Sequence, residues 1–182
     1  MTARIAVPAA LGLALASACI GTSPEQAARE ELPNPYDDDG DAEHRPGQPC
    51  LVCHGADYHP GEEVFVLAGT VFPTPGTDAR DGMAGVSVEF VDDAGHEFHT
   101  LSNRAGNFMI SVDEDLSAPR TRRRGGLAIP WQPVFPVRVA VSYGNTYTEM
   151  ESLIWREGSC AACHTGVVGP DSVDRIFLQE NR

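Results

Sequence analysis

Lysine is absent from this chain of 182 residues, and all 13 of its basic residues are arginine. Aspartate and glutamate together number 26, so the formal net charge is −13. This balance excludes a protein built to hold nucleic acid, because phosphate binding needs a basic surface. An acidic surface instead attracts electropositive partners toward the protein.

Cysteine is also scarce, with five residues, and four of them fall in two copies of the pattern Cys-x-x-Cys-His. The copies are Cys50–His54 and Cys160–His164. Only Cys19 lies outside them, so no cysteines remain for a separate disulfide framework.

The pattern is the attachment site of a c-type haem, in which both thiols add to vinyl groups of the haem. The histidine that follows binds the iron as its proximal ligand. We therefore expect two c-type haems, with His54 and His164 on the irons. Thioether bonds are expected from Cys50, Cys53, Cys160 and Cys163.

Two other interpretations account for the four thiols. One zinc ion could be held by two Cys-x-x-Cys pairs, or each pair could close a short disulfide in an exported protein. Neither explains why a histidine follows both pairs at the same position.

Long apolar runs are missing except near the N-terminus, where residues 1–18 have the pattern of an export signal. The run is too short for a comfortable transmembrane helix. Leu15–Cys19 resembles a lipobox, although Ala16 stands where leucine is more usual. Lipid on Cys19 would anchor the mature protein at a membrane surface, in the periplasm or on the cell surface. The alternative is ordinary secretion after cleavage near Ala18.

Residues 19–48 contain few large apolar side chains and are rich in proline and aspartate. Such a segment cannot bury enough surface to fold, and its charge and prolines extend it. We expect an acidic tether, followed by a first haem-binding segment at 49–63.

Residues 64–154 show the alternation of short β-strands separated by glycine, aspartate and proline turns. This predicts a mainly β fold, a single immunoglobulin-like or prealbumin-like sandwich, with helix only around the haem motifs and a second haem-binding segment at 155–182. Residues 113–133 are expected to form a long exposed loop. The expected strands are 64–72, 86–90, 96–101, 108–112, 134–142 and 146–153.

The phrases AGTVF, GVSVEFVDDAGHEFHTLSNRAGNFMISV and FPVRVAVSYG resemble the carboxypeptidase regulatory-like (prealbumin-like, Cna-B-like) sandwich. The resemblance covers roughly residues 64–154 and implies a non-catalytic module, often a spacer or binding platform. The two Cys-x-x-Cys-His strings resemble c-type cytochromes at the motif alone.

Each iron could take its sixth ligand from one of the remaining histidines or methionines. Met150 is the first choice, because an apolar side chain between two glutamates is not an obvious core residue. His59 is too near His54 to reach the opposite face of the same iron and suits the other haem better. The weaker candidates are His44, His96, His99, Met83 and Met109.

Together these features predict an exported dihaem c-type cytochrome that carries electrons and is not an enzyme. Redox proteins with basic docking surfaces are the expected partners, and self-association follows if the haems lie at opposite poles. We favour the arrangement in which the two motifs lie close together and form a relay. The alternative function is a non-redox binding or adhesion module, in which zinc or a disulfide joins the cysteine pair at each end of the sandwich. A third possible function is that of an enzyme such as a dihaem peroxidase. Such an enzyme would need an open iron face and a distal acid or base.

Overall fold

The computed structural model describes residues 41–56, 63–77, 81–122, 125–156, 158–166 and 173–178. The predicted export signal and Cys19 lie outside these residues. Within the described ranges, no helix has both the length and the apolar character needed to cross a bilayer.

The described residues form two sheets and two short helical turns. The turns are α1 (Leu51–His54) and a 3-10 helix (Cys160–Ala162), so helix is confined to the Cys-x-x-Cys-His motifs as predicted. The strands are β1 (Phe65–Phe72), β2 (Ser87–Val91), β3 (Glu97–Leu101), β4 (Asn107–Val112), β5 (Arg120–Thr121), β6 (Gly126–Ile129), β7 (Arg138–Tyr143), β8 (Thr146–Glu149) and β9 (Ile176–Phe177).

The two sheets pack face to face as a β-sandwich, which confirms the predicted fold class. One sheet has the order β5-β6-β4-β1-β9 and the other has the order β3-β2-β7-β8. Alternate side chains from both sheets fill the core between them, as the period of two requires. Phe90 lies at its centre and contacts the rings of Phe98 and Phe108, at centroid distances of 5.2 and 6.0 Å.

Strand β1 has a core face and an outer face. Leu67 and Gly69 pair with Ile110 and Phe108 of β4 on the core side, whereas Thr70 pairs with Asn107 on the outer side. The register shifts between Phe65 and Leu67, so an extra residue lies in β1 there. Because a shift of one residue moves a side chain to the other face, Phe65 lies on the outer side with Thr70.

Residues 113–133 do not form the long exposed loop expected from the sequence. They contain β5 and β6, and β6 pairs in parallel with β4. Leu127, Ala128 and Ile129 of β6 are buried. Arg122 beside them forms ion pairs with Glu63 at 2.9 Å and Asp113 at 3.3 Å. Three apolar residues between glycine and proline are enough to extend this sheet when a parallel partner is available.

The sequence pattern also failed to predict β9. Its residues Ile176 and Phe177 pair in parallel with Val71 and Phe72 at the end of β1. The guanidinium of Arg175 lies 4.7 Å from the centre of the Phe72 ring. The segment after the second motif therefore completes the edge of the sandwich.

A buried carboxylate closes the turn between β2 and β3. Asp92 accepts hydrogen bonds from the His96 backbone N–H (2.8 Å), the His96 ring Nδ1 (3.0 Å) and the Val134 N–H (3.2 Å). Desolvation alone would raise the pKa of Asp92, but these hydrogen bonds to the charged form outweigh it and lower the pKa below its ordinary value. The His96 ring also packs on Trp131 at 4.7 Å.

We predict that Asp92→Asn lowers the free energy of unfolding at pH 7 by about 1–3 kcal/mol, because an amide N–H would face a donor in this buried site. The stabilisation from a carboxyl with a lowered pKa is present above its unfolded pKa and is lost as pH falls through its folded pKa. Urea unfolding from pH 7 down to pH 3 should therefore show the difference between variant and parent shrinking below about pH 4.

Asp93→Asn is the matched control, because Asp93 is the adjacent exposed carboxylate. It should change stability by less than about 0.5 kcal/mol. Equal effects of the two substitutions, or a difference that does not depend on pH, would contradict this role of Asp92.

Candidate functional site

The first Cys-x-x-Cys-His motif forms one helical turn, α1. The His54 N–H donates to the Cys50 carbonyl at 2.9 Å, and the Cys53 N–H donates to the same carbonyl at 3.1 Å. Residues three apart on a helical turn are neighbours, and Cys50 and Cys53 line the same cleft. The turn therefore presents both thiols beside the histidine.

The His54 ring is held by two contacts. Its Nδ1 lies 3.0 Å from the Glu63 carbonyl oxygen, and the ring stacks on Phe65 at a centroid distance of 4.5 Å. A carbonyl only accepts hydrogen bonds, so Nδ1 carries the hydrogen and Nε2 keeps its lone pair. This is the tautomer of a histidine that binds a metal ion through Nε2.

The cleft lies between α1, residues 42–49 and the outer face of β1 and β4. It is partly open to solvent. Its lining residues are Ala42, His44, Arg45, Gln48, Pro49, Cys50, Cys53, His54, Phe65, Asn107 and Met109.

Residues 41–48 form one wall of this cleft, although the sequence predicts that the tether continues to residue 48. The Asn103 side chain donates to the Ala42 carbonyl at 2.5 Å, and the Asn107 side chain donates to the His44 carbonyl at 2.9 Å. These hydrogen bonds hold residues 42–44 against the sheet. Hydrogen bonds to the sheet replace the apolar burial that the segment lacks.

The second motif forms a similar turn. The His164 N–H donates to the Cys160 carbonyl at 2.8 Å, and the Cys163 N–H donates to it at 3.2 Å. Cys160 is only 8% exposed and belongs to the hydrophobic core, whereas Cys163 is exposed. The two motifs thus share their backbone geometry but differ in burial.

The His164 ring has the same arrangement as His54. Its Nδ1 lies 2.6 Å from the Asp174 carbonyl oxygen, so Nε2 again keeps its lone pair. The Val173 N–H donates to the Cys163 carbonyl at 2.9 Å and holds this segment beside the motif. The sequence gives no sign of these carbonyl partners, because neither lies at a fixed spacing from its histidine.

The second motif rests on the core face of β1. The Ala68 N–H donates to the Gly158 carbonyl at 2.9 Å, and Ala68 forms a bridge with Ser159. A Cβ at Gly69 would lie 2.8 Å from the Cys160 Cβ and 2.8 Å from the ring of Phe108. The absence of a side chain at Gly69 therefore makes room for Cys160.

Burial raises the pKa of the Cys50 thiol to about 11. Cys50 is therefore a protonated thiol at neutral pH in this structure. Cys50 and Cys53 are thiols in this structure and are not joined by a disulfide.

One zinc ion on all four thiols does not fit this arrangement. Cys50 and Cys53 line the cleft on the outer face of the sheet, whereas Cys160 packs against Gly69 on its core face. A structural zinc needs four ligands that converge at about 2.3 Å. Within the described ranges, no three His, Cys, Asp or Glu side chains are grouped to hold a bare metal ion.

The structure places the candidate sixth ligands in different parts of the molecule. Met150 follows β8 at the edge of the other sheet and does not line the cleft of the first motif, and His59 lies outside the described residues. His96 is bonded to Asp92. Two residues ranked as weak, His44 and Met109, do line the cleft. The alternation of apolar residues in β4 predicts that the Met109 side chain points away from the core. It does not predict that this side chain faces the cleft of the first motif.

Comparisons with protein-family models, with curated proteins and with solved structures give no match to this chain.

We predict that Gly69→Ala lowers the free energy of unfolding by about 1–3 kcal/mol, because the new methyl overpacks Cys160 and Phe108. Urea unfolding of the purified protein measures the change. Gly76→Ala is the control, since a Cβ there meets nothing within 4 Å, and it should change stability by less than about 0.5 kcal/mol. Equal stability of the two variants would show that Cys160 does not pack on β1 in this way.

Proposed function

We propose that this chain is an exported dihaem c-type cytochrome that carries electrons between other redox proteins and is not itself an enzyme. One observation carries the proposal. In both motifs the histidine after the second cysteine has its Nδ1 on a backbone carbonyl, Glu63 for His54 and Asp174 for His164. Each imidazole therefore offers Nε2 to an iron, and the hydrogen-bonded carbonyl makes it a stronger ligand.

The residues present fit the haem. Each motif is a single turn that carries two thiols and an imidazole with Nε2 available, and the first motif borders an open cleft. Haem iron takes four ligands from its porphyrin, so the protein needs to supply only the axial ones. When bound, each haem would supply one-electron redox chemistry.

The chain's own residues would hold and shield these groups. The four cysteines would fix the haems covalently, and His54 and His164 would bind the irons. Phe65 packs on the His54 ring, and the core around Cys160 covers one edge of the second site. Such apolar contacts limit solvent access, which tunes a redox potential.

The positions of the two motifs support electron transfer within one molecule. Phe65 of β1 contacts the first motif through His54, and Gly69 of the same strand contacts the second through Cys160. Four residues of β-strand span about 13 Å. These contacts support the arrangement in which the two motifs form a relay within one molecule.

The remaining parts of the proposal concern location and partners. Lipid on Cys19 would hold the protein at a membrane surface in the periplasm or outside the cell. The net charge of −13 would steer electropositive redox partners toward it.

The decisive test is expression with its signal in a host competent for cytochrome c maturation, followed by intact mass. The parent protein should carry two added haems. Cys50→Ala/Cys53→Ala should carry one, and Cys160→Ala/Cys163→Ala should carry the other. Cys19→Ser is the control, because it should lose the lipid and keep both haems.

A colourless parent protein with no added haem mass would overturn this proposal. It would favour instead the alternative of a non-redox binding or adhesion module built on the sandwich.

A second prediction concerns the relay. Electron paramagnetic resonance of the oxidised parent should show magnetic coupling between two nearby haems. The coupling should persist on dilution and vanish in either one-haem variant. Coupling that disappears on dilution would instead indicate contact between separate molecules and contradict the intramolecular arrangement.

A further inference from the structure

A second histidine lies beside the first motif. His44 lines the same cleft as Cys50 and Cys53, and its ring centre is 5.8 Å from that of His54. The sequence places His44 in the acidic tether, so this proximity comes entirely from the fold.

The separation fits two imidazoles on one metal ion. Imidazole nitrogens lie about 2 Å from a first-row transition metal, so two rings on opposite sides of one ion have centres roughly 6 Å apart. Ordinary aromatic contacts cover the same range. The distance therefore permits shared ligation but does not by itself decide for it.

The tautomer of His44 provides a second, independent observation. Its Nδ1 bonds to the backbone carbonyl of Asp41, so Nε2 keeps its lone pair. His54 and His164 have the same arrangement. In the part of the chain that the structure describes, His96 differs because its Nδ1 bonds to a carboxylate.

The backbone that carries His44 is fixed on both sides. Asn107 donates to the His44 carbonyl at 2.9 Å and to the Ala42 carbonyl at 3.3 Å. The Gly47 N–H donates to the Thr70 hydroxyl at 2.8 Å, and that hydroxyl donates to Asn107 Oδ1 at 2.7 Å. Asn107 and Thr70 are both buried. Partners of this kind position metal ligands before the metal binds.

We propose that His44 is the second axial ligand of the haem attached at Cys50 and Cys53, which makes this site bis-histidine. The inference rests on the proposed function. His44 is preferred to Met109, which also borders the cleft from the outer face of β4, because the His44 ring centre lies 5.8 Å from that of His54 and its backbone carbonyl is held by Asn107. Bis-histidine ligation gives a lower reduction potential than His/Met ligation.

The experiment compares His44→Ala with Met109→Leu, a matched change in the same cleft. The reduced proteins are titrated with carbon monoxide, and the oxidised proteins are examined by near-infrared magnetic circular dichroism. The parent should show a bis-histidine signal. His44→Ala should lose it and bind one more equivalent of carbon monoxide per chain, whereas Met109→Leu should match the parent. Imidazole added to His44→Gly should restore the low-spin spectrum.

Intact mass of the same samples separates this inference from the proposed function, because two added haems must be present whichever residue is the ligand. If His44→Ala does not fold, the parent spectrum alone still tests the inference. A parent with no bis-histidine haem would overturn it. So would an unchanged carbon monoxide stoichiometry in His44→Ala, or a gain of binding in Met109→Leu.

Discussion

Strand β1 is the element on which both motifs depend. Its alternation sends Leu67 and Gly69 toward the core and Thr70 toward the outer surface, and the register shift turns Phe65 outward as well. The first motif packs against the outer side through Phe65, and the second packs against the core side at Gly69. One strand of eight residues thus joins two segments that are more than a hundred residues apart in the chain.

Each motif histidine has its Nδ1 on a backbone carbonyl, that of Glu63 for His54 and that of Asp174 for His164. The carbonyls of Glu63 and Asp174 belong to segments that join the sheet, directly before β1 and directly before β9. The orientation of both histidine rings therefore depends on the folding of the sandwich itself.

The sandwich strands that alternate strictly were predictable from sequence, because burial of one face leaves a period of two in residues such as Val88, Phe90 and Phe98. Strand β6 was not, since Leu127–Ile129 is short and continuous and its parallel partner β4 is not adjacent in the chain. The motif cysteines and histidines were evident from spacing alone. The role of residues 41–48 was hidden, because Asn103 and Asn107 reach them by hydrogen bonds across some sixty residues of sequence. The spacing of apolar residues indicates which side chains are buried, but it does not indicate hydrogen bonds of this kind.

The central claim is that both Cys-x-x-Cys-His motifs carry a covalently attached haem. The pyridine haemochrome spectrum of the purified, exported protein tests it most directly when haem is measured against polypeptide concentration. We expect the α-band of a thioether-linked haem, with two haems per chain. A protein that gives no haemochrome, or haem that is extracted by acidified organic solvent, would contradict it.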